Sequence, residues 1–273
     1  MTDTFWADIS TWQAVANDQY PHQVLAFRAD FGTGTDGNAA ANWRYCQSSL
    51  QIKAAIAYVV FKPDEVAGIV TRVKALFGAK CPPKLVFMID MESGAEFAGG
   101  GDHSAQANAL AIQLADYTGS QRRVLAYANR YDYQECWPAI LPWLKKVTAS
   151  YGTSDPGTWG WQYYGGVAAN PSPNGYPRSC APFGGNVDMN VSHSNLAQLL
   201  TDLGLTTPTP TPEDDMAWTD HVPADWQRKY YPTVDPAKTP LTYGQVFLDT
   251  AGRVITDLGV DRADYTVDQK PPA

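Results

Sequence analysis

The segment Lys84-Leu85-Val86-Phe87-Met88-Ile89-Asp90-Met91-Glu92-Ser93 places two carboxylates one residue apart at the end of an apolar run. Side chains of an extended strand alternate faces, so Val86, Met88, Asp90 and Glu92 share one side while Leu85, Phe87, Ile89 and Met91 share the other. A strand apolar on both faces is buried on both, as in a parallel sheet covered by helices. Acids at the C-terminal lip of such a strand are costly unless they are paired or used. In α/β barrels that lip is where the chemistry sits. A turn into solvent at Ser93-Gly94 is the plainer alternative.

Two further acids bear on the choice. Asp8 closes the run Phe5-Trp6-Ala7-Asp8-Ile9, and Asp188 lies in Asn186-Val187-Asp188-Met189-Asn190. If the first and last strands of a closed barrel are neighbours, Asp8 and Asp188 lie side by side, and with Asp90 and Glu92 they form one acidic mouth. Crowded carboxylates cannot all ionise cheaply, so at least one keeps its proton near neutral pH. A protonated acid beside a second carboxylate is what glycosidic-bond hydrolysis requires. Strand residues i and i+2 have Cα atoms only about 6.5–7 Å apart. That spacing leaves little room for a water on the far side of a bond held between Asp90 and Glu92, which favours retention of configuration. A divalent cation held by the same acids is the competing reading, weakened because such sites also draw loop carbonyls and waters. No metal or other cofactor is expected.

Tyr58, Tyr127 and the run Trp161-Gln162-Tyr163 supply flat rings and polar tips suited to stacking on sugar rings and bonding their hydroxyls. Core packing explains any one of them equally well.

The elements that would position these residues are legible as alternating patterns. Strands are expected at 5–9, 24–29, 56–61, 85–91, 123–128, 146–150, 159–164 and 186–191. Pro63-Asp64-Glu65 opens a helix that Gly78 ends, and residues 103–117 form another. Ser192 or Ser194 would cap a last helix reaching about Leu203. The pattern predicts an α/β fold, an irregular TIM-like β/α barrel of eight strands with weakened helices in its second half. The Pro-Thr alternation of residues 206–215 is a semi-rigid linker. It separates a barrel (1–205) from a small C-terminal appendage (216–273), in which 241–259 reads as a helix capped by Thr242.

Composition narrows the function. The net charge is −8 and no basic stripe is present, which argues against nucleic acid. No apolar run reaches the roughly 18 residues of a membrane span. The N-terminus, Met1-Thr2-Asp3-Thr4-Phe5-Trp6, does not read as a signal peptide. Cys46, Cys81, Cys136 and Cys180 are scattered without zinc-ligand spacing, and buried free thiols are the expectation over disulfides.

Together these motifs resemble the glycoside hydrolase family 25 lysozymes, the Chalaropsis-type muramidases common among phage endolysins. Four family patterns occur in order across about residues 5–204. The opening Asp-[Val/Ile]-Ser-x-x-Gln is matched by Asp8-Ile9-Ser10-Thr11-Trp12-Gln13, and Asp-x-Glu by Asp90-Met91-Glu92. The late Trp-Gln-Tyr is matched by Trp161-Gln162-Tyr163, and Val-Asp-[Leu/Met]-Asn by Val187-Asp188-Met189-Asn190. The resemblance implies hydrolysis of the β-1,4 bond between N-acetylmuramic acid and N-acetylglucosamine in bacterial peptidoglycan. It makes Glu92 the general acid/base and Asp90 either the nucleophile or the group that steadies a reacting 2-acetamido. Asp8 and Asp188 would tune charge, and Tyr58, Tyr127, Trp161, Gln162 and Tyr163 would line the cleft.

Two departures concern specificity more than reaction type. The family's Lys-Ala-[Ser/Thr]-Glu-Gly is here Arg28-Ala29-Asp30-Phe31-Gly32, leaving Asp30 or Asp36 to stand in for the glutamate. Its Tyr-His-Phe is here Tyr58-Val59-Val60-Phe61, without a histidine. With no signal peptide in evidence, a phage lysin would wait in the host cytoplasm for a holin-type pore. The competing readings are a catalytically silent wall-binding or virion structural protein on the same barrel, and a metal-dependent peptidase acting on wall peptides. For the appendage, cell-wall binding and self-association stand as equal alternatives.

Overall fold

The computed structural model describes residues 3–93, 100–152, 154–167 and 172–206, with the backbone of 246–248 and 254–256. The chain divides into two compact units, Met1–Thr207 and Pro208–Ala273. The first unit is a closed barrel of eight strands in chain order: β1 (Thr4–Ile9), β2 (Val24–Asp30), β3 (Ala54–Val60), β4 (Leu85–Met91), β5 (Val124–Asn129), β6 (Lys145–Ala149), β7 (Gly160–Gly165) and β8 (Asp188–Ser192). Neighbours from β1 through β7 pair in parallel, whereas β8 is antiparallel to both β7 and β1. The expected eight-stranded barrel is therefore present, with its last strand reversed.

Strand alternation sorts the apolar residues into two clusters. Trp6, Ala26, Ile56, Val86, Met88, Leu125 and Val147 form the inner cluster together with Leu199 of α5 (Leu196–Asp202) and Leu203, which caps that helix. Leu85, Phe87, Ile89 and Met91 face outward, against helices α2 (Val66–Phe77) and α3 (Ser104–Thr118). A shorter α1 (Ala39–Ser48) adds Trp43 and Cys46 to the same layer, and α4 (Arg130–Glu135) follows β5. Gly160 lets the strands pack closely: a Cβ there would sit 3.0 Å from Val147 and 3.4 Å from the Trp6 ring.

Helices cover β2 to β5 well, but a loop joins β6 to β7, as expected for a barrel irregular in its second half. The last helix begins later than expected. Its cap is Asn195, whose side chain accepts from the Gln198 amide, because Ser192 is still paired with Thr4 in the sheet. All four cysteines are free thiols, with Cys46, Cys136 and Cys180 buried. Among the described residues no helix is long and apolar enough to cross a membrane.

In the second unit, the helix expected over 241–259 is contradicted where the backbone is described. Strands β9 (Val246–Leu248) and β10 (Val254–Thr256) pair antiparallel there. Val, Ile, Phe and Thr favour extended backbone, and these triplets flank a glycine-containing connection. The rest of that span, most of the linker and the remainder of the appendage lie outside the described residues.

Candidate active site

Inward-facing side chains from seven of the eight strands, all but β6, reach one cavity of about 260 Å³ at the barrel mouth. They are Asp8 on β1, Arg28 on β2, Tyr58 and Val60 on β3, Met88 and Asp90 on β4, Tyr127 on β5 and Gln162 on β7. Glu92 follows directly after β4. Because β8 runs the opposite way, its first residue rather than its last reaches the mouth, and that residue is Asp188. Asp188 stands directly opposite Asp8 in the β1–β8 register. The four acids singled out in the sequence thus line a single cavity, although they come from the first, fourth and last strands.

Burial and mutual repulsion set their protonation. Desolvation holds the Asp8 carboxyl well above its ordinary range, and the charges of Asp188 and Glu92 add to this. A hydrogen bond from Tyr58 and the Arg28 guanidinium oppose it. Asp188 is pushed up to about 7, first by burial and then by Glu92. Tyr58, Tyr127 and Tyr151 are raised chiefly by burial, so all three are neutral hydroxyls at physiological pH. The mouth therefore holds exchangeable protons in a water-poor setting, which is the condition for acid catalysis at neutral pH.

The hydroxyls around Glu92 are ordered. Tyr127 Oη lies 2.6 Å from Gln162 Oε1 and 3.4 Å from Glu92 Oε1. Tyr151 also donates to Gln162 Oε1, at 3.1 Å. A hydroxyl has one proton to give. Donated along the shorter contact, it leaves the Tyr127 lone pairs facing Glu92.

Behind Glu92, the fully buried Asp132 anchors the chain. Its carboxylate accepts from the Ser93 amide at 3.2 Å, from the Ser93 hydroxyl through a short contact, and from Asn129 Nδ2 at 2.6 Å. The residue after Glu92 is thereby fixed to the start of α4.

Of the five cleft residues expected from sequence, Tyr58, Tyr127 and Gln162 line the cavity, and Trp161 and Tyr163 do not. The correction follows from strand alternation: if Gln162 points inward, both neighbours point outward. Trp161 donates to the Ser150 carbonyl, and Tyr163 packs edge-on against Tyr176 and donates to the Pro177 carbonyl. Neither acid proposed as a stand-in for the family glutamate lines the cavity. Asp30 is paired with Arg72 at 2.5 Å, and Asp36 with Arg28 at 2.8 Å.

Arg28, Trp12 and Tyr151 line the cavity without having been expected there. Arg28 was findable, since it continues the inward series Val24, Ala26, Arg28. Tyr151 follows β6 in a loop, where no periodicity marks it. Among the described residues, no group of three or more His, Cys, Asp or Glu side chains is arranged to hold a metal ion.

No family model matches the chain. The uncharacterized protein Rv3766 of Mycobacterium tuberculosis is 35% identical over 200 residues, spanning 71% of this chain and 70% of that protein. The chain belongs to the family of Rv3766. Among solved structures, a family 25 glycosyl hydrolase from Bacillus anthracis superposes with a TM-score of 0.57 at 15% identity, covering 72% of this chain and 92% of that one. The CTP1L endolysin gives 0.52 at 16% identity, over 74% and 70% of the two chains. A muramidase from Acremonium alcalophilum gives 0.51 at 16%, over 73% and 98%. The Rv3766-family barrel described here thus shares the fold of family 25 glycosyl hydrolases.

Proposed function

We propose that this chain is a peptidoglycan hydrolase, an N-acetylmuramidase that cleaves the β-1,4 bond between N-acetylmuramic acid and N-acetylglucosamine. The observation that carries the reading is the convergence of Asp8, Asp90, Glu92 and Asp188 on one small cavity, with the carboxyls of Asp8 and Asp188 holding protons above the usual range. The muramidase and endolysin that share the fold support the same substrate class.

In this reading Glu92 protonates the glycosidic oxygen as the C1–O bond breaks. The carbonyl oxygen of the substrate's own 2-acetamido group forms a bond to C1, and Asp90 steadies the resulting positive charge at nitrogen. Water then attacks C1, the bond from C1 to the acetamido oxygen breaks and restores the neutral amide, and the water gives its proton to the Glu92 carboxylate, restoring the acid. Net retention follows from two displacements at C1. Asp8 and Asp188 tune the charge of the mouth and, with Tyr58, Tyr127 and Gln162, hold the sugar.

The biological setting belongs to the same proposal: a phage endolysin acting on the host wall after release through a membrane pore. Residues 206–215 would tether residues 216–273, a wall-binding or self-associating module. Mass spectrometry of products released from purified peptidoglycan tests the reaction. Muropeptides with new reducing N-acetylmuramic acid ends are expected from wild type and none from Glu92→Gln. Equal clearing by both proteins, or new amino termini instead of reducing ends, would overturn it.

A further inference from the structure

The cavity, at about 260 Å³, lies at the small end of ligand sites, which start near 300 Å³. A glycan strand is a polymer, so most of a bound segment must lie on the surface beside the cavity. Trp12 is at the rim: it lines the cavity and the residue is 79% exposed. Other large exposed apolar residues, such as Leu50, Ile112 and Tyr131, are absent from the cavity lining, so exposure alone does not distinguish Trp12. Its setting does.

The turn that carries Trp12 is pinned from several directions. The Gln13 amide donates to the Ser10 carbonyl at 3.2 Å, and the Ser10 amide and hydroxyl both donate to Gln13 Oε1, at 2.9 and 3.2 Å. The Trp12 amide donates to Ser10 Oγ at 3.3 Å. From outside the turn, Asp36 accepts from the Thr11 amide at 3.0 Å, and Asn38 Nδ2 donates to the Gln13 carbonyl at 3.0 Å. Gln13 Nε2 reaches the Asn186 carbonyl, two residues before Asp188, at 3.2 Å. Backbone and polar side chains are thus committed to holding the turn, while its one large ring is left in solvent. A flat ring on a fixed backbone loses little entropy when a partner settles on it.

We propose that Trp12 is a stacking platform for a pyranose ring of the glycan strand adjoining the ring held in the cavity, and so fixes where the polymer enters. This rests on the glycan-hydrolase reading above. The platform binds ground state and transition state alike, so it acts through affinity and not through the chemical step.

The test is calorimetric titration of a peptidoglycan-derived tetrasaccharide, two N-acetylglucosamine–N-acetylmuramic acid repeats, into Glu92→Gln protein, which prevents turnover. Adding Trp12→Ala is expected to weaken binding by about tenfold or more, the equivalent of one aromatic face removed from contact. Trp12→Leu, equally apolar but not flat, is expected to lose nearly as much, and Trp12→Phe to retain most of the affinity. Unchanged binding in both the Ala and Leu variants would overturn the platform while leaving the hydrolase reading in place. No tetrasaccharide binding by Glu92→Gln, together with no reducing ends released by wild type, would overturn the hydrolase reading and the platform with it.

Discussion

Glu92 lies 3.4 Å from the Tyr127 hydroxyl, which sits closer to Gln162, and two of the acids sharing its cavity hold their protons above the usual range. Replacing Glu92, the proposed proton donor, by Gln is expected to lower kcat/KM on soluble glycan strands by about 10²–10⁴-fold. Tyr127→Phe keeps the ring but loses the oxygen between Glu92 and Gln162. It should lower kcat by about tenfold with little change in KM, because the lost contact serves the reacting state. Asp188 gives a stability prediction whose sign can be worked out. Its folded pKa, about 7, exceeds the ordinary 3.8, so between these values the folded state binds more protons and stability falls as pH rises. Asp188→Asn should therefore raise Tm at pH 8, by about a few degrees, and have little effect near pH 3.5. Thermal melts at both pH values check this; an equal shift at both would show that charge is not the cause. In the sequence all four acids were legible as residues. What could not be read was which of them hold protons, because that depends on burial and distance.

At the level of elements, strand positions were recoverable because a barrel strand with two apolar faces leaves a short dense run, as in Leu85–Met91, which the structure matches residue for residue. Helices α1 and α4 were not recognised. The first opens on three alanines and has only Trp43, Tyr45 and Cys46 as larger apolar positions, and the second has only six residues. The error at Trp161 and Tyr163 came from treating three consecutive residues as one motif, although a strand can turn only alternate side chains inward. The direction of β8 was also hidden, since apolar pattern says nothing about polarity of a strand. The corner between β5 and α4 yields its own prediction. Asp132→Ala leaves the Ser93 amide and hydroxyl and the Asn129 amide without their acceptor in a buried place, at a cost of about 2–4 kcal/mol. Ser93→Ala removes one bond of the set and should cost less. Urea unfolding with matched kcat measurements separates the structural loss from misplacement of Glu92: kcat should drop in Asp132→Ala even where the protein is fully folded.

At the scale of the whole molecule, every cavity-lining residue and both apolar clusters fall within the Met1–Thr207 unit. A chain ending at Thr206 is expected to cleave soluble glycan strands as the full chain does. If residues 216–273 bind walls, the same truncation reduces co-sedimentation with intact walls; if they mediate self-association, it lowers the mass measured by light scattering and leaves co-sedimentation unchanged. The two-unit division follows the Pro-Thr stretch, which was plain in the sequence because alternating proline cannot enter a helix or an inner strand. The role of the second unit was not plain, since its short strands carry no chemistry-bearing spacing.

Ring closure joins Thr4 to Ser192 and Asp8 to Asp188, partners separated by nearly the full length of the barrel. Such distant pairings form late, since the entropy of bringing the ends together has to be met first. While the ribosome still holds residue 188, β1 and β7 are raw edges and the acidic mouth lacks one wall. A nascent chain therefore has no complete acidic mouth until translation has passed the final strand, and if the proposed hydrolase reading holds, any nonsense codon upstream of it is expected to yield an inactive product.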